Sequence, residues 1–553
     1  MDLRKFYSEN LFNATEDLFK TQLNVPLKTN TSASLQINQI LQDKYRNLSP
    51  FNNVTELYFS GLIDNSIFQK SPSEKVTDAE TVLDNVAPAD GFALFALKLD
   101  KKPTRTEITE ITRAFNMRSK AMPVMVLLQY ETMISLALPE RLLYEQSWRT
   151  GAKVGTVIIL RNIDTQNTHA GHLRILENLA NHNARNFNEL HNAWLKVLNI
   201  KTLNEDFYYS LAGKYSKDGN LIVEGWYQKC FNNIDINLKA ASRVLGKQIE
   251  DELKPQAVIR IIIRMMFIWF MKEKGLIANK FFEKSVVDDF LNNENTYYNA
   301  ILQNLFFAVL NKKIDERRFR KENPEQPSNP EENEHGIFDV MRYKRYFKDG
   351  KANEFLALTR QIPFVNGGLF QCHDYKFTGK DETGEFNCRN NYLIDAFSET
   401  KPAKVSDDVM FSLIELFNSY VWTIEESTPE EQDIALDPEL LGTVFENIIG
   451  AYNPESKENA RKSSGSFYTP KPIVDYICRE SFKKTLKTKF PDKVEQIDDL
   501  IDNNEDKLDF PNKNNLLAAI TSLKVLDPAC GSGAFPMGMF NLMVRTIEKL
   551  QEH

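Results

Sequence analysis

The sequence predicts a mixed α/β and α protein, and three observations carry that expectation. Before residue 180, continuous apolar runs of strand length flank a stretch with helical spacing. From there to residue 311 the apolar residues recur three and four apart with few turn signals, as in helices packed on one another. At the far end an apolar tetrapeptide runs into a glycine turn and another helical pattern, which reads as the opening of a second α/β domain.

The N-terminal α/β domain is expected over residues 1–180. GFALFALKLD (Gly91 to Asp100) and PVMVLLQY (Pro123 to Tyr130) are strand-length apolar runs. TRTEITEITRAFNMRSK between them has a Thr/Glu start and helical spacing, which suits a crossover helix. KVGTVIILRNI (Lys153 to Ile163) adds a further strand. A helical domain follows over 181–311. Its most apolar part, AVIRIIIRMMFIWFM (Ala257 to Met271), is shorter than the roughly 20 residues of a bilayer span. It also holds Arg260 and Arg264 on one helical face, where a membrane would make them costly. A buried helix whose arginine edge meets solvent or another domain is expected instead. KKIDERRFRKENPEQPSNPEENEHG (312–336) has the composition of a charged linker. Residues 337–462 read as a mostly helical connector with a turn at PFVNGGLF, where Asn366, Gly367 and Gly368 can take positive φ cheaply. Residues 463–553 begin the last domain. No internal repeat appears at solenoid periods.

Composition sets further bounds. With 553 residues and 42% hydrophobic side chains, the chain can bury several cores. Lys and Arg total 68 against 76 Asp and Glu, a net charge of -8, so no global positive field attracts a polyanion, although a local basic groove stays open. The five cysteines, Cys230, Cys372, Cys388, Cys478 and Cys530, are scattered, odd in number and free of any CxxC pair. That pattern disfavours a disulfide framework and suits a reducing cytoplasm. The start, MDLRKFYSENLFNATEDLF, has no apolar core of a signal peptide.

Two motifs concentrate the chemistry. In LKVLDPACGSGAF (Leu523 to Phe535), Leu523 to Leu526 suits a strand buried on both faces of a parallel sheet, and Gly531-Ser532-Gly533 suits a tight turn into a helix starting near Pro536. Glycines let a ligand approach the backbone, and the free amides of a helix start offer it donors. Upstream, GSFYTPKPIVDYI (Gly465 to Ile477) is a turn with two aromatics and a proline, then a helix expected to put Ile473, Val474 and Ile477 on one face.

DPACGSGAF resembles motif I of the DNA amino-methyltransferases, the S-adenosylmethionine signature of enzymes that methylate the 6-amino group of adenine. The resemblance implies a Rossmann-like domain in which Asp527, Ala529, Cys530, Gly531, Gly533 and Phe535 line the pocket around the cofactor's amino acid and ribose. GSFYTPKPIVDYI is similar to motif X of the same enzymes, and implies that Tyr468, Thr469 and Pro470 contact the cofactor's methionine end. Motif X before motif I is the order of the γ-type enzymes. LDPELLGTVFENIIGAY (Leu436 to Tyr452), PFVNGGLF and RMMFIWFMKEKGLI (Arg264 to Ile277) resemble segments upstream of the methyltransferase core in type IIG restriction-modification and phage-defence methylases. The family's catalytic box, Asn/Asp-Pro-Pro-Tyr/Phe, stacks a flipped base and holds its amino group. It occurs nowhere in the 553 residues, and no target-recognition domain is legible.

The expectation is therefore the N-terminal portion of an adenine-specific DNA methyltransferase, truncated after motif I, inactive alone and acting on double-stranded DNA. No catalytic residue is nominated, and no structural metal. The missing box and target-reading domain are expected from further C-terminal sequence. The alternatives are a non-catalytic DNA-binding or scaffold subunit with a vestigial cofactor motif, and a Mg²⁺-dependent endonuclease. The endonuclease rests on Asp90, Asp100 and Lys102, which have the residue types of a PD-(D/E)xK site. A strand leaving into a charged loop explains them better, so a nuclease-like N-terminal domain would be a degenerate copy. His169, His172, His182 and His191 lack zinc-site spacing and are expected to be solvated or hydrogen-bonded. The basic stretches RKSSGS (Arg461 to Ser466) and CRESFKKTLKTK (Cys478 to Lys489) suit DNA phosphates or solvated helix faces alike.

Overall fold

A computed structural model describes the chain except residues 26, 29–32, 42–48, 69–77, 86–90, 121, 144–151, 217–219, 237–246, 324, 326–333, 335–336, 366–367, 373, 377–390, 393–394, 400–401, 424–430, 437–468, 470, 502–512, 529, 531–532 and 553. It divides into two units, Met1–Leu441 and Gly442–His553. The fold is mixed α/β, with one large mixed sheet and many helices.

The sheet of the first unit uses β1 (Val54–Asp64), β2 (Gly91–Leu99), β3 (Val124–Tyr130), β4 (Met133–Leu143), β5 (Ala152–Asp164) and β6 (Glu431–Asp433), in that spatial order. The three strands expected from apolar runs are β2, β3 and β5. β2 and β3 run parallel through the crossover helix α1 (Arg105–Arg118), while β1, β4 and β5 each pair antiparallel with a neighbour. α1 starts where Thr104 and Glu107 close a capping box. Its other end is tied to β3 by Asn116, whose amide donates to the Val124 carbonyl and whose oxygen accepts from the Val124 N–H, at 2.8 and 2.9 Å.

Alternation along the strands separates two buried faces. Val124, Val126, Leu128, Ala137, Val157 and Ile159 pack in one core with Ile108, Ile111 and Phe115 of α1. Met125, Leu136, Leu138, Ile158 and Leu160 meet Phe19, Leu179 and Trp194 on the opposite face.

β6 comes from far along the chain. It pairs parallel to β5, Asp433 opposite Ile159, and the Ile434 N–H extends the ladder to the Ile159 carbonyl. The buried Asp433 carboxylate accepts from Arg161 Nε at 2.8 Å and lies 3.9 Å from Arg105.

The helical body is organised by α2 (Lys247–Glu273). Here the expectation for the arginine edge is overturned. Arg264 is 1% exposed and points inward. Its Nη1 and Nη2 donate to Asp395 Oδ1 and Oδ2 at 2.6 and 3.4 Å, while Nε and Nη2 reach the Leu369 and Gln371 carbonyls at 2.8 and 3.1 Å. A buried guanidinium needs this full set of partners, because bare desolvation costs more than a single ion pair returns. Arg260 is half-buried. Two π-helical stretches, Tyr298–Gln303 and Leu305–Leu310, lie nearby, and Gln303 donates to the Asp395 carbonyl at 2.6 Å.

Two further expectations change. Gly368 opens a short 3-10 turn, Gly368–Phe370, without positive φ; Asn366 and Gly367 lie outside the described residues. Among the described residues of the charged stretch 312–336, two arginines are engaged with the chain around them. Arg317 is buried and donates to the Lys312, Thr359 and Ile362 carbonyls, and Arg320 pairs with Glu399 at 2.5 Å.

Arg264→Met removes the guanidinium that balances the buried Asp395 carboxylate, a loss on the order of 3–5 kcal/mol. Urea unfolding should register that loss. Arg264→Lys should recover little of it, because an ammonium cannot span the same fork of acceptors.

Candidate functional site

Both sequence motifs fall in the second unit, whose described residues form helices and turns. Thr469 precedes α3 (Lys471–Lys489), and Gly533 precedes α4 (Ala534–Glu552). Phe482, Leu486, Ile497, Leu500, Leu516, Ile520 and Leu550 make the unit's small core.

Glycine at 533 is explained by the backbone. Its φ is +84°, a region that costs an L side chain strain, and its N–H closes a turn onto the Cys530 carbonyl at 2.7 Å. The helix begins at once, slightly before the expected Pro536.

The expected strand is not there. Leu523 to Leu526 is irregular, with Val525 50% and Leu526 88% exposed. A parallel strand exists only through its neighbours, and among the described residues of this unit no strand offers itself as one. The Rossmann-like sheet expected here is therefore absent from the described residues.

The helix after motif X also buries a different face from the expected one. Val474, Cys478, Phe482 and Leu486 point inward at helical spacing, whereas Ile473 and Ile477 are exposed. That inward face meets α4. A Cβ built on Gly538 would lie 3.2 Å from Val474 Cγ1 and 3.3 Å from Cys478 Sγ, and the Cys478 thiol donates to the Phe535 carbonyl at 3.5 Å. Gly538 thus permits a close crossing of the two helices near their starts. Thr469 and Gly533 each stand five residues upstream of that crossing, so both motifs enter it from their N-terminal sides. Two helix N-termini set near each other present unsatisfied N–H groups and partial positive charge, a setting suited to a carboxylate or other anion.

Of the nominated residues, Thr469, Asp527 and Phe535 are half-buried and Cys530 is exposed. Tyr468, Pro470, Ala529 and Gly531 lie outside the described residues, as does RKSSGS. The helix crossing at Val474, Cys478 and Gly538 was not singled out from sequence. Its signal is a lone glycine between two methionines at the start of a helical pattern.

The other candidates disperse. In CRESFKKTLKTK, Lys487 pairs with Asp498 at 2.6 Å and Lys483 lies 3.8 Å from it, so part of the basic stretch is neutralised within the unit; Lys484 and Lys489 remain exposed. In the first unit Asp100, Lys101 and Lys102 are exposed on the loop after β2, and Asp90 lies outside the described residues. Among the described residues no group of His, Cys, Asp and Glu could hold a metal ion, and no helix is long and apolar enough to cross a membrane.

Of the histidines, His169 is hydrogen-bonded, as one of the two expected states, while His172 is buried. His169 caps the helix Ala170–Ala180 by accepting the Gly171 N–H, and His191 stacks on Phe187. His172 is 5% exposed, and burial, with the neighbouring His169, pushes it down to about 4.

No protein-family model matches the chain, and no solved structure matches it. A protein of Methanocaldococcus jannaschii, provisionally named a type II restriction enzyme and methyltransferase, is 27% identical over 300 residues. The match covers 51% of this chain and 20% of that protein, so the chain spans about a fifth of its relative's length. The similarity is a distant one, to a protein of the restriction-modification kind.

Two outcomes follow. Gly538→Val should wedge α3 from α4 and cost about 1–3 kcal/mol, seen as earlier melting of the second unit. His172 is neutral when folded and gains a proton on unfolding, so its contribution is intact above pH 6.5 and lost as pH falls toward 4. At about 1.4 kcal/mol per pH unit the loss is roughly 3 kcal/mol. His172→Leu should flatten the stability profile between pH 6.5 and 4.

Proposed function

We propose that this chain supplies the cofactor-binding part of an S-adenosylmethionine-dependent DNA methyltransferase of a restriction-modification or phage-defence system, with the 6-amino group of adenine as methyl acceptor. The crossing of α3 and α4 carries the reading, because it sets motifs some 60 residues apart on the entry sides of two adjacent helix starts. Distant similarity to a restriction and methylation protein supports the same class. Bound S-adenosylmethionine supplies an electrophilic methyl group on a sulfonium. Tyr468, Thr469 and Pro470 would hold its methionine end, while Asp527, Ala529, Cys530, Gly531, Gly533 and Phe535 would line its amino acid and ribose. The helix starts would favour its carboxylate.

Methyl transfer also needs a group that grips the flipped adenine. No Asn/Asp-Pro-Pro-Tyr/Phe box occurs in these 553 residues, and the proposed part of this chain is cofactor binding alone. Double-stranded DNA is the proposed substrate and the cytoplasm the proposed location. In the N-terminal domain an ordinary strand leaving into a charged loop explains Asp100 and Lys102 better than a PD-(D/E)xK site; a nuclease-like domain would be a degenerate copy.

Photocrosslinking with methyl-tritiated S-adenosylmethionine tests the cofactor reading. Label should attach to the chain and fall at least about tenfold in Gly531→Trp, which puts an indole in place of the motif's glycine. Equal labelling of both proteins would overturn it. When DNA and a segment bearing the catalytic box are added, label should appear in N6-methyladenine; label in cytosine instead would overturn the adenine assignment.

A further inference from the structure

The second buried face of the large sheet does not close completely on the helices that cover it. Against the π-helical stretch Leu18–Gln22 lies a cavity with about 20 Å³ of room for the centre of a water-sized molecule. Ten residues line it, and all ten are apolar. Phe19 and Leu23 come from the π-helical stretch and its end, and Leu138 and Leu160 from β4 and β5. Trp194 and Leu198 come from the last turn of the helix Phe187–Val197 and the residue after it. Phe19, Leu23, Leu138, Leu160 and Trp194 are each at most 4% exposed, so the space belongs to the interior rather than to a surface groove.

Gaps able to take even one water are few in a protein interior. Water has little reason to enter this one. A buried water needs about two to four polar partners, and the lining offers one polar side-chain atom, Trp194 Nε1, which already donates to the Leu179 carbonyl at 3.0 Å. Backbone groups beside the cavity are engaged as well: the Leu23 N–H donates to the Leu18 carbonyl at 2.8 Å and the Val25 N–H to the Phe19 carbonyl at 2.9 Å. Wall atoms that face a gap lose dispersion contacts, and an apolar guest restores them without breaking a hydrogen bond.

We propose that this cavity is a binding site for a single small apolar molecule, of the size of xenon or a short hydrocarbon, and that its occupant fastens the N-terminal helices to the sheet. Such a guest touches Phe19 and Leu23 on one side and Leu138 and Leu160 on the other. It therefore has a site only while the two layers are closed, and it favours the closed state by the factor 1 + [L]/Kd. The covering segment suits that control. The helix that begins at Leu11 passes into a π-helical turn at Leu18, a widened geometry that is frequent where helices serve a function. The site is independent of the cofactor reading.

Xenon under pressure is the probe, applied to the whole chain carrying labelled Leu and Met methyl groups, with nitrogen at equal pressure as the control. The methyl signals of Met125, Leu138 and Leu160 should shift and saturate with xenon, while those of Met410 and Leu413 in the helical body should not. Shifts that never saturate, or that appear equally at Met410, would overturn the site. At the pressure giving half the shift, protection of the Leu23 and Val25 amides from hydrogen exchange should rise about twofold; unchanged protection would overturn the fastening. Leu198→Phe, whose ring takes up the space, should abolish both responses, and their persistence would count against the cavity. Should that variant lose its fold, the wild-type shifts and protection decide alone.

Discussion

The helical body of the first unit depends on one buried guanidinium. Arg264 sits near the middle of a long apolar helix and joins that helix to three places elsewhere in the chain: the Leu369 carbonyl, the Gln371 carbonyl and the Asp395 carboxylate. Apolar packing alone tolerates small slips of one helix past another, because most hydrophobic contacts can be exchanged for similar ones. A forked donor with fixed geometry tolerates few. Around it, the π-helical stretch brings Gln303 to the Asp395 carbonyl, and Tyr343, itself at φ +61°, donates to Gln303 at 2.9 Å. Irregular backbone at Tyr298–Gln303, Tyr343 and Ala396 gathers around this network, and such departures persist only where the surroundings over-determine them.

That dependence explains which parts of the fold were legible in the sequence. β2, β3 and β5 are continuous apolar runs bounded by turn residues, and a local pattern suffices to read them. The capping box of α1 is equally local. Arg264 was read as an outward edge because spacing shows which residues share a face, not whether a partner 131 residues away waits opposite that face. β6 is three polar residues, Glu431, Gln432 and Asp433, and becomes a strand only through β5. No window of sequence contains that information.

The second unit shows the same limit in the opposite direction. Val525 and Leu526 have strand-like composition and form no strand, since pairing partners rather than propensity make a sheet. Ile473, Val474 and Ile477 were grouped on one face, yet of the three only Val474 belongs to the row that meets Gly538. What the motifs did convey was their chemistry: a glycine demanded by positive φ at 533, and a helix beginning directly after it. The nearness of the two motifs was not in either string. It comes from a small residue that lets two helices touch.

The late arrival of β6 bears on how the chain comes to be folded during synthesis. Asp433 is 272 residues beyond Arg161, so the free edge of β5 emerges long before the strand that covers it. At roughly 5–20 residues per second, the interval is on the order of 15 to 55 seconds. Throughout it, β5 offers unpaired N–H and C=O groups beside an arginine whose carboxylate has not yet been made. A nascent chain in that condition is open to pairing with the wrong edge, including that of a neighbour on the same message. The sheet is thus completed only by translation of the helical body, and a ribosome that stalls between the two leaves an adhesive intermediate in place of a finished domain.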